Sequence, residues 1–570
     1  MFAFKMQNAF INQANILKRP IFGAVLFCLV SQIAAGMTSN AWQPPEPAPQ
    51  WLDDIQEHIT TNDLPHTNIN IQAVLPLLFL RSAKGDAWSE GCLGNLMMEG
   101  HELPLNYREG IRLLRDSAEK GCGKAMDELG WRYINGRGVK IDYQEALHWL
   151  HMAADLGFPN SQANIGYCYA MGYGVTTNDV EAMKWFRLAA AQTNAFAMMH
   201  IGRMYTYGSG VRRDHVTAEK WLLPSARLGN ARAMFFMGML THEHFADTNA
   251  DVEAFEWYKK SAELGDRFGC YQLALSYYNG IGTAKDPTNS IHWFTKAAAQ
   301  GLGDAQYFLG EIYHLGRYVP QDEEAAQKLY HRAVTNGQPQ ACIKMAMILG
   351  YPNLKSNLDN FAESHCLMLQ AAQAGHRTAQ FNVAMGCFRG DGGVTNYEEG
   401  QRWLLQSARD GWPMSEYYLG LSYLNGSFQF PKDTAEGVKW LRQAATDDCL
   451  PAQETLGIKL IKGVDVPRNA QEGVKWFRHA AECGDAKAEG DLGYALETGE
   501  ASVPDLIEVC MWDQLSANQG VPQAKINLAR VRAQLSDAQI QEAKQRAEQF
   551  KPKPLPELDG MKTSGQVLPF

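Results

Sequence analysis

Basic charge, cysteine and long apolar runs are all scarce in this 570-residue chain, and each scarcity removes a class of function. The 52 Lys and Arg stand against 62 Asp and Glu, a formal net charge of −10. A dedicated nucleic-acid binder needs the opposite balance to displace counterions from phosphate. Eleven cysteines with no Cys-x-x-Cys pair are too sparse for a disulfide scaffold and wrongly spaced for structural zinc or dithiol redox chemistry. Phosphate-binding loops are missing as well: no Gly-x-Gly follows a strand or extends to GxGxxG or GxxxxGK[ST]. Serine-nucleophile patterns such as GxSxG do not occur where a helix terminus would present them. No cofactor is therefore expected. What the chain does have is apolar surface, 46% hydrophobic residues with 51 glycines, ample for a folded core.

The single apolar run near the start, Ile21 to Val30, follows a stretch carrying Lys5, Lys18 and Arg19 and no acid. This is the layout of an export signal, shorter than the ~20 residues that span a bilayer comfortably. Residues 1–41 are read as a signal peptide, cleaved after Gly36 or Ala41, or as an uncleaved N-terminal membrane anchor. Cys28 lacks the small-residue context of a lipoprotein signal. The expected location is periplasmic or secreted, or anchored to the inner membrane. Residues 42–67, with Pro44, Pro45, Pro47 and Pro49, read as a linker, 68–545 as one array, and 546–570, with Pro552, Pro554 and Pro556, as a disordered tail.

Within the array, a Gly or Ala recurs every 36 residues at 94, 130, 166, 202, 238, 274, 310 and 346, then at 384, 420, 457, 493 and 529. Around each beat stand an apolar residue one before and often a tyrosine three after, as in Tyr133, Tyr169, Tyr205 and Tyr277, on one helical face. Gly-x-Gly then ends the helix, as at Gly136 and Gly138. Twelve after the beat comes an Asp or Asn, at 142, 178, 214, 286, 322, 396, 469 and 505, placed to cap a second helix. Glu145, Glu181, Glu399, Glu472 and Glu508 follow three residues later, as in a reciprocal capping box. The second helix carries Ala-Ala pairs and a column of tryptophans, at 149, 185, 221, 257, 293, 403, 440, 476 and 512, expected to fill the space between successive pairs.

Taken together, these residues resemble the Sel1-like repeat, a relative of the tetratricopeptide family, and residues 125–157 reproduce its pattern almost position for position. The resemblance implies an all-α, right-handed superhelix of about twelve 36-residue helix-turn-helix repeats, each stabilised by its neighbours. Departures are local. The fifth unit has Glu243 to Ala246 in place of its glycines, the eighth has Gly350-Tyr351-Pro352, and Leu329 and Leu367 replace the usual Trp. A cysteine-rich branch of the family staples its repeats with regular disulfides and is linked to slow β-lactam hydrolysis. The regular pair is absent here, so free thiols are the default reading, with a Cys342–Cys366 bridge as the alternative.

His242, Glu243, His244 and Asp247 have the residue types of a metal site but not the spacing of HExxH, and no metal is expected. The remaining surface is a set of aromatic and basic positions on the first helices, which line the concave side in the tetratricopeptide relatives. One after the beat stand Trp131, Tyr167 and Arg203; four after it stand His242, Tyr278, His314 and Phe388; three before it stand Phe235, Tyr271, Tyr307, Phe381 and Tyr417, a set read chiefly as packing. The first two sets are the candidate partner-binding residues, since rigid aromatics with interspersed Arg make binding hot spots. The resemblance implies a non-enzymatic scaffold for proteins or peptides of the bacterial cell envelope. The alternatives are a polysaccharide- or peptidoglycan-associated module and, third, a β-lactam-type hydrolase.

Overall fold

The computed structural model describes residues 71–554, apart from 101–102, 245–247, 351–357, 392–393 and 500–504, together with 557–558 and 561–562. The export segment and proline-rich linker lie outside the described residues. Within them the chain forms 27 α-helices from Ile71–Ala83 to Asp537–Gln549, nearly all of about thirteen residues, with one 3-10 turn at Ser427–Gln429. Their order is that of an all-α repeat solenoid. The one strand pairing among the described residues joins Glu557–Leu558 to Met561–Lys562. The chain divides into two compact units, Met1–Ser225 and Ala226–Phe570.

The pair formed by helices Gly123–Asn135 and Tyr143–Asp155 shows how a repeat is built. Asp142 accepts hydrogen bonds from the backbone N–H of Gln144 and Glu145, both at 3.1 Å, and so starts the second helix. Gly136 ends the first in the left-handed conformation at φ 66°, its N–H returned to the Arg132 carbonyl. Gly138, at φ 77°, lies against the ring of Tyr107 on the preceding second helix, where a side chain has no room. The small residue of each beat has an equally specific cause. A methyl on Gly130 would stand 2.5 Å from Leu150 Cγ, and one on Gly166 2.8 Å from the Phe186 ring. The beat therefore receives the large residue twenty positions later on its partner helix, and that residue is the centre of the core: Leu150, Phe186, Leu222, Phe294, Tyr330 and Leu404 are all fully buried.

The Ala-Ala position has a polar variant. Where serine replaces the first alanine, its hydroxyl donates to the carbonyl of residue thirty earlier, from Ser117 to Ala87, Ser261 to Ala231 and Ser516 to Ala486, at 2.6–2.7 Å. Each such bond ties a second helix to the start of its own first helix.

Two expectations need correction. The five capping-box glutamates give their backbone N–H to the Asx cap, but their carboxylates do not return to the cap's backbone. Glu145 and Glu508 accept from the indoles of Trp149 and Trp512 at 3.1 and 3.2 Å. Glu472 and Glu508 pair with Arg442 and Arg478, thirty residues earlier on the preceding second helix. In Glu472 and Glu508 the carboxylate thus links successive repeats, while those of Glu399 and Glu472 also accept from the side-chain amides of their own caps, Asn396 and Asn469, at 3.0 and 3.1 Å. The reciprocal box found among the described residues belongs to Ser536 and Gln539, opening the last helix. That helix runs to Gln549, so the tail boundary drawn at 545 falls inside it. Residues beyond still touch the array: the Lys553 N–H donates to the Glu482 carbonyl at 2.8 Å.

The tryptophan column does pack between pairs, with Trp185, Trp221, Trp403 and Trp476 against cores that precede them in sequence. Only Trp149 and Trp512 are buried outright.

Candidate interaction surface

In the unit Met1–Ser225, the three candidate positions one after the beat are all half-buried on first helices. Trp131, on Gly123–Asn135, is covered by guanidinium groups, that of Arg137 lying 5.0 Å from the ring centroid and that of Arg132 5.9 Å. Arg132 is itself buried and held by Asn95, Glu99 and Glu128 at 2.6–2.9 Å, so this side of the Trp131 ring has a fixed charge beside it.

Tyr167, on Pro159–Met171, meets Tyr173 at 5.8 Å, Phe196 at 6.0 Å and His200 at 5.4 Å between ring centroids. Burial raises its phenol above the usual range and Arg203, on the next first helix, opposes that rise. Arg203 thus lies within electrostatic reach of Tyr167. The structure adds Phe196, an exposed aromatic that sequence reasoning missed. The signal was available, since six before the beat shares a helical face with three before and one after it.

In the unit Ala226–Phe570, the positions four after the beat are occupied by internal contacts. His242 Nδ1 lies 2.9 Å from Asp251 Oδ1, and His314 Nδ1 2.7 Å from Glu323 Oε2, each fastening the end of a first helix to the opening turn of its own second helix. The Tyr278 hydroxyl accepts from Arg317 at 2.9 Å, and its ring meets Phe308 and Tyr318 edge-on. Phe388 is buried, stacked on Phe428 at 4.1 Å, and is a packing residue of the turn, not a surface one. This row points at the turns because four residues advance a helical position by a full turn toward the helix end. Of the set three before the beat, Phe235 and Phe381 are buried as packing, while Tyr271, Tyr307 and Tyr417 remain half-exposed. Burial pushes the Tyr271 and Tyr307 phenols up to about 12.

For the histidine and acid cluster of the fifth unit, His242 is engaged by Asp251; Asp247 and the side chains of Glu243 and His244 lie outside the described residues. All ten described cysteines are free thiols, and Cys342 faces Gln370 Oε1 at 3.6 Å in place of a disulfide partner.

The Sel1 repeat family model matches ten segments: 93–122, 123–158, 159–194, 195–230, 231–266, 268–302, 303–338, 378–412, 413–449 and 451–485. The stretch passed over, 339–377, contains the irregular eighth unit. No match is found among curated proteins. Among solved structures the chain is similar to a protective antigen of uropathogenic Escherichia coli displaying an SLR fold, at 28% identity over 85% of this chain and 94% of that one, with a TM-score of 0.47. It is also similar to a Sel1 repeat protein of Oxalobacter formigenes, at 26% identity over 57% of this chain and 92% of that one, TM-score 0.37. Sel1 repeats generally mediate protein–protein interaction, and their members are typically non-catalytic scaffolds. With more than half of its length matched, this chain belongs to the Sel1 repeat family.

Proposed function

We propose that this chain is a non-enzymatic scaffold that holds protein or peptide partners along the outward face of its first helices, within the bacterial cell envelope. The observation that carries the reading is the Tyr167, Phe196 and Arg203 cluster. The Tyr167 ring is held against Phe196 and His200 yet stays partly exposed, and the half-buried Arg203 places a positive charge within its reach, the combination of ring and guanidinium that dominates binding energy at interfaces. Trp131, with its cationic cover, offers a second anchor of the same kind. The envelope location rests on the basic-then-apolar layout of residues 1–41.

Affinity capture from envelope extracts tests the binding claim. The double change Tyr167→Ala/Arg203→Ala weakens capture of specific protein partners by more than about 2 kcal/mol, roughly thirtyfold, with little change in melting temperature. Full capture together with a large drop in melting temperature identifies these positions as core and removes the reading. Retention on murein or polysaccharide with no protein partner favours the carbohydrate-binding alternative. A fusion of residues 1–50 to a reporter active only outside the cytoplasm tests location; an inactive fusion refutes export.

A further inference from the structure

Position twenty after the beat carries a large side chain in pair after pair: Leu150, Phe186, Leu222, Tyr258, Phe294, Tyr330, Leu404 and Phe477, each on its small beat residue. In the pair built on Gly493 the equivalent residue is Asp513. It is fully buried on helix Leu506–Asn518, and a methyl on Gly493 would stand 2.7 Å from its Oδ1. Neither carboxylate oxygen makes a well-formed hydrogen bond, and the Asn527 side chain is the one hydrogen-bonding group that favours its charged form. An ionised carboxylate in such a site is costly, because its surroundings replace little of the water it has lost.

The charged groups around it do not remove that cost. Helix Ala486–Glu497 contributes Glu497, of the same sign, and the buried Glu489, which accepts from Gln519 at 2.9 Å. Helix Pro522–Arg532 contributes Arg530, already bound to Glu497 through Nε at 2.8 Å, and Arg532, which donates to Gln514. The final helix, Asp537–Gln549, packs on helix Leu506–Asn518 and brings Lys544, whose charge reaches Cys510. Phe550 closes the arrangement, edge-on to Trp512 at 5.3 Å.

We propose that Asp513 is a proton-operated latch at the C-terminal end of the array: protonated, it lets helices Leu506–Asn518, Pro522–Arg532 and Asp537–Gln549 close as one core, and ionised it loosens them. Burial, with Glu497 as the next cause, pushes its carboxyl up to about 7, against partial opposition from Arg530 and Asn527. A carboxyl raised in the folded state gives its full stability below its ordinary value near 3.8 and loses it as pH rises through 7. Over that window the opening constant of this end climbs about tenfold per pH unit, by roughly 10² to 10³ in all. The latch is independent of which partner the scaffold holds.

Hydrogen exchange on the full chain tests it, with Asp513→Leu, the residue type used elsewhere at this position, and Asp513→Asn, which keeps the shape and removes the charge. Rates for peptides within 506–549 are compared between proteins at equal pH, so that intrinsic exchange and the titration of Glu489 cancel. The exchange-rate ratio of the parent chain to either variant is expected to rise about 100-fold between pH 5 and pH 8, with peptides from 123–155 unaffected. A ratio that stays constant across that range overturns the proposal. Should the Leu variant lose protection throughout 506–549 at both pH values, the Asn variant alone decides between those two outcomes.

Discussion

Gly130 lies directly beneath Leu150, close enough that a methyl on the glycine would stand 2.5 Å from Leu150 Cγ and 3.2 Å from the Ala146 carbonyl oxygen. Intrinsic helix propensity favours alanine over glycine by about 1 kcal/mol, yet here the packing term has the opposite sign and is larger. Gly130→Ala is expected to destabilise by about 1–3 kcal/mol through overpacking, measured by urea unfolding. Leu150→Ala alone opens a cavity at a fully buried site and costs about 2–5 kcal/mol. In the double variant the two defects partly compensate, so the combined cost falls below their sum. Strict additivity would show that the two residues do not share one space.

The link from each second helix to the next first helix runs through a left-handed residue, Gly157 at φ 88° and Gly265 at φ 84°, with nothing within 4 Å of an added methyl at either. Thr193 occupies the same place at φ 60°. A β-branched residue pays for that conformation where glycine does not. After allowance for the greater freedom of glycine in the unfolded chain, Thr193→Gly is expected to stabilise by about 0.5–1 kcal/mol. An unchanged or lower midpoint in thermal unfolding would contradict this.

The helix pairs, their caps and their breaks were legible in the sequence because each depends on residues within a few positions of one another. Asp142, Gly136 and Ser536 act on their own turns. What was not legible depends on a neighbour far along the chain. The carboxylate of Glu472 is drawn to Arg442 because the preceding second helix lies alongside, and local spacing cannot show that. Trp293 is the more conspicuous residue, yet Phe294 beside it is the one fully buried, since the beat of its own pair faces Phe294. Phe388 reads as a surface aromatic until Phe428, forty residues later, is stacked upon it. Of the candidate surface, Tyr167 and Arg203 were proposed from their register and Phe196 was not, because its neighbours Tyr167 and His200 lie on two successive first helices.

Burial sorts the thiols by reactivity. Cys92, Cys168 and Cys449 are pushed up to about 12 by desolvation, whereas Cys366 is exposed. Thiolate is the reacting species, so brief iodoacetamide treatment of the native chain at pH 8 is expected to modify Cys366 while leaving those three largely unmodified, as read by peptide mass spectrometry. Equal labelling of Cys168 and Cys366 would show that the core around Cys168 opens readily.

Four before the beat the repeat often places glutamine, whose amide donates to the carbonyl eight residues earlier, Gln306 to Ala298 and Gln453 to Ala445, both at 2.9 Å. Glu416 holds that position in its own pair, 2% exposed, with one carboxyl oxygen lacking a partner. As an anion it can donate nothing. Burial, and then Asp447 beside it, push its carboxyl up to about 8. Because the folded value lies above the ordinary one of 4.5, the side chain supports the fold fully below about pH 4.5 and progressively less as pH rises through 8. Glu416→Gln supplies a permanent donor without the charge. At pH 8 the variant is expected to be about 2–4 kcal/mol more stable than the parent chain, and near pH 4.5 the two should differ by less than about 1 kcal/mol. Urea unfolding at both pH values checks the difference. A stability gap that does not widen with pH would mean that Glu416 stays ionised in the folded chain, with Asp447 or solvent moving to accommodate it.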